Sequence, residues 1–278
     1  MSLTGVFGLF SGRPRDPIGE GGRMSLGDHF RELRARVMRI ALYLVVATIV
    51  ALFFYDQLFQ LILDPYNQAR ESLGQTTQTQ AVITGVGTPL MLQLKMSGIA
   101  ALVVTSPLWL LEIWGFIVPG LHRNEKRWSR IFALTAGPLF IVGVALGYYV
   151  LPKGIATLIG FTPKGVIQLT EFGDFFTFIT RMLLVFGVAF EIPLFVIMLN
   201  LAGVVSGKAL GRYRPWIVIA VFVFAAVATP STDPYSMLML AIPMLVLVIA
   251  SELIARLLDK RKRARRPEEW DDDTVSPL

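Results

Sequence analysis

Long unbroken apolar runs constrain this chain more than any other feature. A helix of about 20 apolar residues crosses the ~30 Å hydrocarbon core of a bilayer, and a soluble fold has no use for several such helices in series. Four runs reach that scale: Val37–Tyr55, Leu90–Val118, Ile131–Leu151 and Phe176–Ala202. Two more are shorter, Trp216–Ala228 and Met237–Ala250, the second interrupted by Pro243. Each of these reaches only roughly 20 Å as a helix. The expected fold class is an all-α integral membrane protein with six transmembrane helices, the last two short. A re-entrant hairpin through Thr229–Ser236 would place the chain ends identically. Hydrophobic residues make up 54% of the chain and charged residues 17%, as suits helices whose solvent is lipid.

The basic residues orient these helices. Twenty-one of the 26 Lys and Arg fall in four segments, residues 1–39, 119–130, 202–215 and 256–266, whereas the alternate loops hold only Arg70, Lys153 and Lys164. The excess of positive charge marks the cytoplasmic side, so both termini are expected there. The net charge of +6 then follows from topology and does not imply nucleic acid. Residues 1–24, rich in Gly, Arg and Pro, read as a disordered cytoplasmic tail, 25–255 as the transmembrane domain, and 256–278 as a charged cytoplasmic tail, basic and then acidic. Met1–Phe10 has neither a basic n-region nor an apolar h-region. The first helix would therefore drive insertion, and with no organellar transit sequence the expected location is the inner membrane of a prokaryote.

The chain has no cysteine and only two histidines, His29 and His122. Disulfides, thiol catalysis and the usual Cys/His zinc sites are excluded. No nucleophilic triad, phosphate-binding loop or HExxH motif occurs. The expectation is a non-enzyme without cofactor or metal, drawing energy from the membrane potential, an ion gradient or partner proteins.

Three carboxylates stand out. Glu191, in Glu191-Ile192-Pro193, lies inside an apolar run, where a charge is costly. It is either satisfied within the bundle or faces a hydrated concavity open to a partner helix. Pro193 loosens the backbone beside it. Glu32 and Glu125 lie among basic residues at the cytoplasmic surface. Glu32 has Arg36 at i,i+4, and Glu125 has Arg123, Lys126 and Arg127 nearby, so both read either as locally neutralised or as a receptor for a cationic ligand. Ser106–Trp128 carries Glu125. It ends an apolar run in tryptophans, then Pro119-Gly120, expected to break the helix, then basic residues. Ser25 with Asp28 three residues on resembles a capping box opening the first helix.

Four stretches in register, His29–Arg36 (HFRELRAR), the Trp114, Phe116, Pro119 and Glu125 loop, Phe186–Phe195 (FGVAFEIPLF) and Phe224–Met237 (FAAVATPSTDPYSM), together resemble the TatC family. This is the multispanning receptor of the twin-arginine protein translocase. The similarity covers about residues 25 to 255. It implies binding of the twin-arginine signal peptide of folded precursors at the cytoplasmic face, and assembly with single-span TatA-type and TatB-type partners. Transport would be driven by the proton-motive force, with membrane lipid around the chain and self-association among its contacts. By position, Glu32, Glu125, Arg34 and Phe116 resemble the signal-binding residues and Glu191 the intramembrane polar residue that contacts partners. Pro65, Pro107 and Asp233 fall in structural or periplasmic stretches. Two departures are Leu111-Glu112, where members often carry Tyr-Gln, and a Thr229–Asp233 segment one residue longer than the common TPPD form. The rival class is an ion-coupled secondary transporter using Glu191, although no repeat joins the two halves; a passive assembly scaffold is a third. Short fifth and sixth helices would thin the bilayer on one side of the bundle.

Overall fold

The computed structural model describes residues 26–74, 79–121, 126–163, 165–229 and 233–265. Ser25, of the expected capping box, and Glu125 lie outside them. In the hydrocarbon core a backbone must satisfy its own hydrogen bonds, and each long apolar run accordingly folds as helix. In chain order the elements are α1 (Leu26–Leu52), α2 (Tyr55–Leu73), β1 (Thr79–Val82), α3 (Thr88–Val104), α4 (Ser106–Leu121), α5 (Lys126–Gly160), β2 (Gln168–Glu171), α6 (Phe172–Leu201), α7 (Gly207–Arg212), α8 (Arg214–Ala228) and α9 (Pro234–Arg265).

Segments within α1, α5, α6 and α9 are each long and apolar enough to cross a membrane, and α3 with α4 makes a fifth if that bent pair is one span. The run Leu90–Val118 is not one straight helix: it turns by 58° between α3 and α4. Thr105 causes the break together with Pro107. The Thr105 hydroxyl donates to the Ala101 carbonyl at 2.7 Å, and Pro107 sits in the first turn of the new helix, where its missing N–H costs nothing. The last helix differs from expectation in the opposite sense. α8 is short, at 15 residues, but α9 runs for 32 residues, past residue 255 and into the expected tail. The apolar run stopped at Ser251-Glu252 only because these residues are polar. Ser251 returns its hydroxyl proton to the Leu247 carbonyl at 2.6 Å, and Glu252 is paired, so the helix continues. Thinning by two short helices therefore reduces to α8 alone. Pro119-Gly120 does not break the chain either, because α4 continues to Leu121.

α6 is the axis of the bundle. Phe172, Phe176, Ile179, Met182 and Phe186 along it are buried, packed by α2, α3, α5 and α9. A second apolar cluster, built on Leu110, Trp114, Phe132, Phe140 and Met198, joins α4, α5 and the distal half of α6. Glycine permits the closest approaches. A Cβ at Gly143 would meet the Phe186 carbonyl oxygen at 2.6 Å, and one at Gly137 would strike Pro107 of α4. Pro65, fully buried in α2, is part of the same packing. Outward residues such as Val45, Ile49, Val104, Leu134, Val142 and Val227 are more than half exposed, the belt expected where lipid is the neighbour.

At one end of the bundle, β1 and β2 pair in parallel, Thr79 opposite Gln168 through Val82 opposite Glu171. Tyr66 Oη and Thr79 Oγ1 are hydrogen-bonded at 2.7 Å beneath them. The segment between α1 and α3 is thereby joined to the segment between α5 and α6. Asp233 caps α9 at this end: Oδ1 accepts from the Ser236 N–H at 2.7 Å and Oδ2 from the Ser236 hydroxyl at 2.6 Å. Pro234 fills the first helical position, a standard N-terminal arrangement.

Candidate functional site

The opposite end carries a charged cluster built on Arg36 of α1. Arg36 Nε and Nη2 both donate to Glu32 Oε1, at 3.0 and 2.6 Å. Nη1 donates to the Glu112 carbonyl at 3.0 Å and to Glu112 Oε2 at 3.2 Å. Nη2 also donates to the Gly115 carbonyl at 3.1 Å. Arg39 Nη2 completes the set, 2.9 Å from Glu112 Oε2.

The sequence explains why α4 accepts this guanidinium. Within a helix the Gly115 carbonyl would receive the N–H of the residue four positions on. That residue is Pro119, which has none. The orphaned acceptor is taken by Arg36. Gly115 also supplies the space, since a Cβ there would lie 2.6 Å from Arg36 Nη1. Two arginines and two carboxylates thus neutralise each other in a half-buried site, with every contact of Arg36 geometrically fixed. Both bonds from Arg36 to Glu32 fall on Oε1, and Oε2 accepts none from another described residue.

Of the sequence-predicted residues, Glu32 and Phe116 are brought to this end together. Phe116 stacks on His29, with ring centroids 4.5 Å apart and planes inclined by 20°. Arg34 is exposed and two residues from Glu32, which puts it on another face of α1. Glu191 on α6 belongs to the neighbouring layer: its Oε2 accepts from Trp114 Nε1 at 3.3 Å, while its buried Oε1 meets no partner among the described residues. Trp114 adjoins Gly115 on α4, so one helix carries both the Arg36 acceptors and the Glu191 donor.

Sequence reasoning missed the partners at the same end of the bundle. Glu252, 4% exposed in α9, accepts from Arg214 in a fork, Nε to Oε2 at 3.0 Å and Nη2 to Oε1 at 2.8 Å. Arg256 Nη2 lies 2.6 Å from the same Oε1. Asp259 accepts from Asn200 Nδ2 and from the Gly207 N–H, both at 2.7 Å, tying α6, α7 and α9. The only signal in the sequence was the i,i+4 spacing of Glu252 and Arg256; nothing local pointed to Arg214.

Comparison with known proteins bears on the family and the fold. Residues 28–243 match the family model described as Sec-independent protein translocase protein (TatC). The chain is 40% identical over 270 residues to the Sec-independent protein translocase protein TatC of Frankia casuarinae, covering 93% of this chain and 74% of that one. It is 38% identical over 281 residues to the TatC of Corynebacterium kroppenstedtii, covering 92% and 68%. A crystal structure of the twin arginine translocase receptor TatC superposes with a TM-score of 0.70 at 25% identity, covering 83% of this chain and 99% of that one. On this sequence and fold evidence, the chain belongs to the TatC family and is a core subunit of the Sec-independent protein translocase.

Proposed function

We propose that this subunit is the signal-peptide receptor of the translocase, and that the end of the bundle built on Arg36 takes the twin-arginine motif of folded precursors at the cytoplasmic face. One observation carries the reading: Arg36 holds Glu32 by a single carboxylate oxygen, and among the described residues Oε2 has no partner. A carboxylate has about four acceptor positions, and a carboxylate already locked in one rotamer loses little entropy on meeting a second guanidinium. The stacked His29 and Phe116 give an apolar flank for the rest of the peptide. Glu125, in the segment following α4, adds the second carboxylate, and Arg34, exposed on a different face of α1, borders the site. The surrounding basic residues raise specificity, since only bidentate contacts outweigh their repulsion.

In this reading both termini are cytoplasmic, the protein lies in the inner membrane of a prokaryote, and six passes cross it. Glu191, with one carboxylate oxygen unpartnered among the described residues, is the contact for TatA-type and TatB-type single-span subunits, and the proton-motive force drives transport without enzymatic chemistry. The ion-coupled transporter gives way to the family membership. The test is peptide affinity. Twin-arginine signal peptide should bind the purified protein, and Glu32→Ala should weaken it by about 10- to 100-fold, the scale of one lost charge-assisted hydrogen bond or pair of bonds. Equal affinity for a Lys-Lys peptide would overturn the proposal.

A further inference from the structure

The other end of the bundle holds a cavity of about 510 Å³ between α5, α6 and β2, within the ~300–1,000 Å³ range of ligand sites. Its polar lining is unusual for a membrane protein. Arg181 lies nine residues along α6 from Phe172, about 14 Å into the helix, and is exposed. No ion pair or hydrogen bond engages its guanidinium among the described residues. Thr170, in β2 just ahead of α6, lines the cavity too, but its hydroxyl oxygen is buried. The free donor of the cavity is therefore the guanidinium. Asp174, two turns nearer the end of α6 and on the same face, lines the cavity too and is likewise without a countercharge among the described residues. The remaining polar groups are largely occupied. Tyr66 bonds Thr79, Gln168 accepts from Thr162 at 2.6 Å, and Thr177 donates to the Gly173 carbonyl. Ile155, Leu158, Ile159 and Phe178 form the apolar wall.

We propose that this cavity seats the headgroup of one zwitterionic phospholipid of the ethanolamine type, its phosphate on Arg181 and its ammonium on Asp174. The order of charges along α6 matches the lipid. The guanidinium lies deeper, where the phosphate sits beneath the headgroup, and the acid lies nearer the surface, where the ammonium points. Arg181 snorkels outward to meet the phosphate. A purely anionic ligand, whether an anionic lipid or a carboxylate on a partner helix, would satisfy Arg181 while being repelled by Asp174. The apolar wall then takes the upper part of an acyl chain. An ionised arginine at this depth is costly without such a counterion. Assignment of the lipid to the outer leaflet rests on the topology proposed above; the seat itself does not.

Native mass spectrometry of the full chain, released from detergent containing phosphatidylethanolamine, phosphatidylcholine or phosphatidylglycerol of the same acyl chains, tests the proposal. One phosphatidylethanolamine should stay bound, about tenfold preferred over phosphatidylcholine, whose quaternary ammonium cannot donate to Asp174. Arg181→Gln should abolish retention, and Arg181→Lys should keep most of it. Asp174→Asn should retain lipid but lose the preference for ethanolamine. Soluble phosphoethanolamine in excess should compete weakly, which separates the headgroup from the acyl contribution. Equal retention by the wild type and Arg181→Gln, or no headgroup preference in the wild type, would overturn the seat. Labelling of Thr162→Cys from the cytoplasmic side would overturn only the topology, since retention in detergent has no sidedness.

Discussion

Arg36 reaches across from α1 to α4 because three separate residues let it. Pro119 leaves a carbonyl without its helical donor, Gly115 leaves room, and Glu112 supplies the charge. In the proposed receptor site Glu112 bears on binding, because it divides the Arg36 guanidinium between two carboxylates. With Glu112→Gln, the full cationic attraction of Arg36 falls on Glu32, and a ligand arginine must compete with it. Affinity for a twin-arginine peptide should drop by up to about tenfold, or ~1.4 kcal/mol, with the thermal midpoint little changed; a fluorescence-anisotropy titration reads it. In the sequence, Glu112 was visible only as a departure from the family pattern at Leu111-Glu112. Its partner stands 76 residues away, and no local spacing connects them. Glu32, by contrast, was legible together with its own alternative, since i,i+4 pairing with Arg36 follows from helix geometry alone. The pairing half of that expectation is what the structure shows, on one carboxylate oxygen.

Among elements, the helices were read well where apolar runs are long and badly where polarity and helicity part company. α6 lies within a few residues of its run because most of its length from Phe172 onward is apolar, with a buried face of Phe172, Phe176, Ile179, Met182 and Phe186. α9 was cut short because Ser251, Glu252 and Arg256 interrupt the apolar pattern while continuing the helix. The short strands β1 and β2, four residues each, carry too little periodicity to be seen. The break at Thr105 has its sequence signal in Pro107, which lacks the N–H that a continuous helix would donate to the Val103 carbonyl. α9 is held at its far end chiefly by polar pairs. Asp259→Ala removes the acceptor of the Gly207 N–H and one of the acceptors of Asn200 Nδ2, which keeps the Val205 carbonyl. It should cost about 1–3 kcal/mol, the penalty for leaving a donor such as the Gly207 N–H unpaired. A lowered thermal midpoint in detergent, with α7 opening to hydrogen exchange before the rest of the bundle, is the expected record.

At the scale of the whole molecule, the charge asymmetry of the loops and the alternating course of the helices agree on which segments share an end. The pairing of β1 with β2 joins two loops that the basic-residue count assigned to one side, and the clusters of Arg36, Glu252 and Asp259 gather where the basic segments lie. Cysteine substitution at Thr162 should therefore label from outside in intact cells, and at Gly207 only after the membrane is opened. The reverse pattern would invert the topology. The β1–β2 pairing also sets a schedule for biogenesis. Thr79 cannot meet Gln168 until the intervening chain, with all of α3, α4 and α5, has been made and inserted. At about 5–20 residues per second, that interval is roughly 4–18 s, during which β1 waits with an open edge. The first helices of this translocase subunit thus reach the membrane well before their outer ends are closed, and any factor that shields a nascent strand has those seconds in which to act.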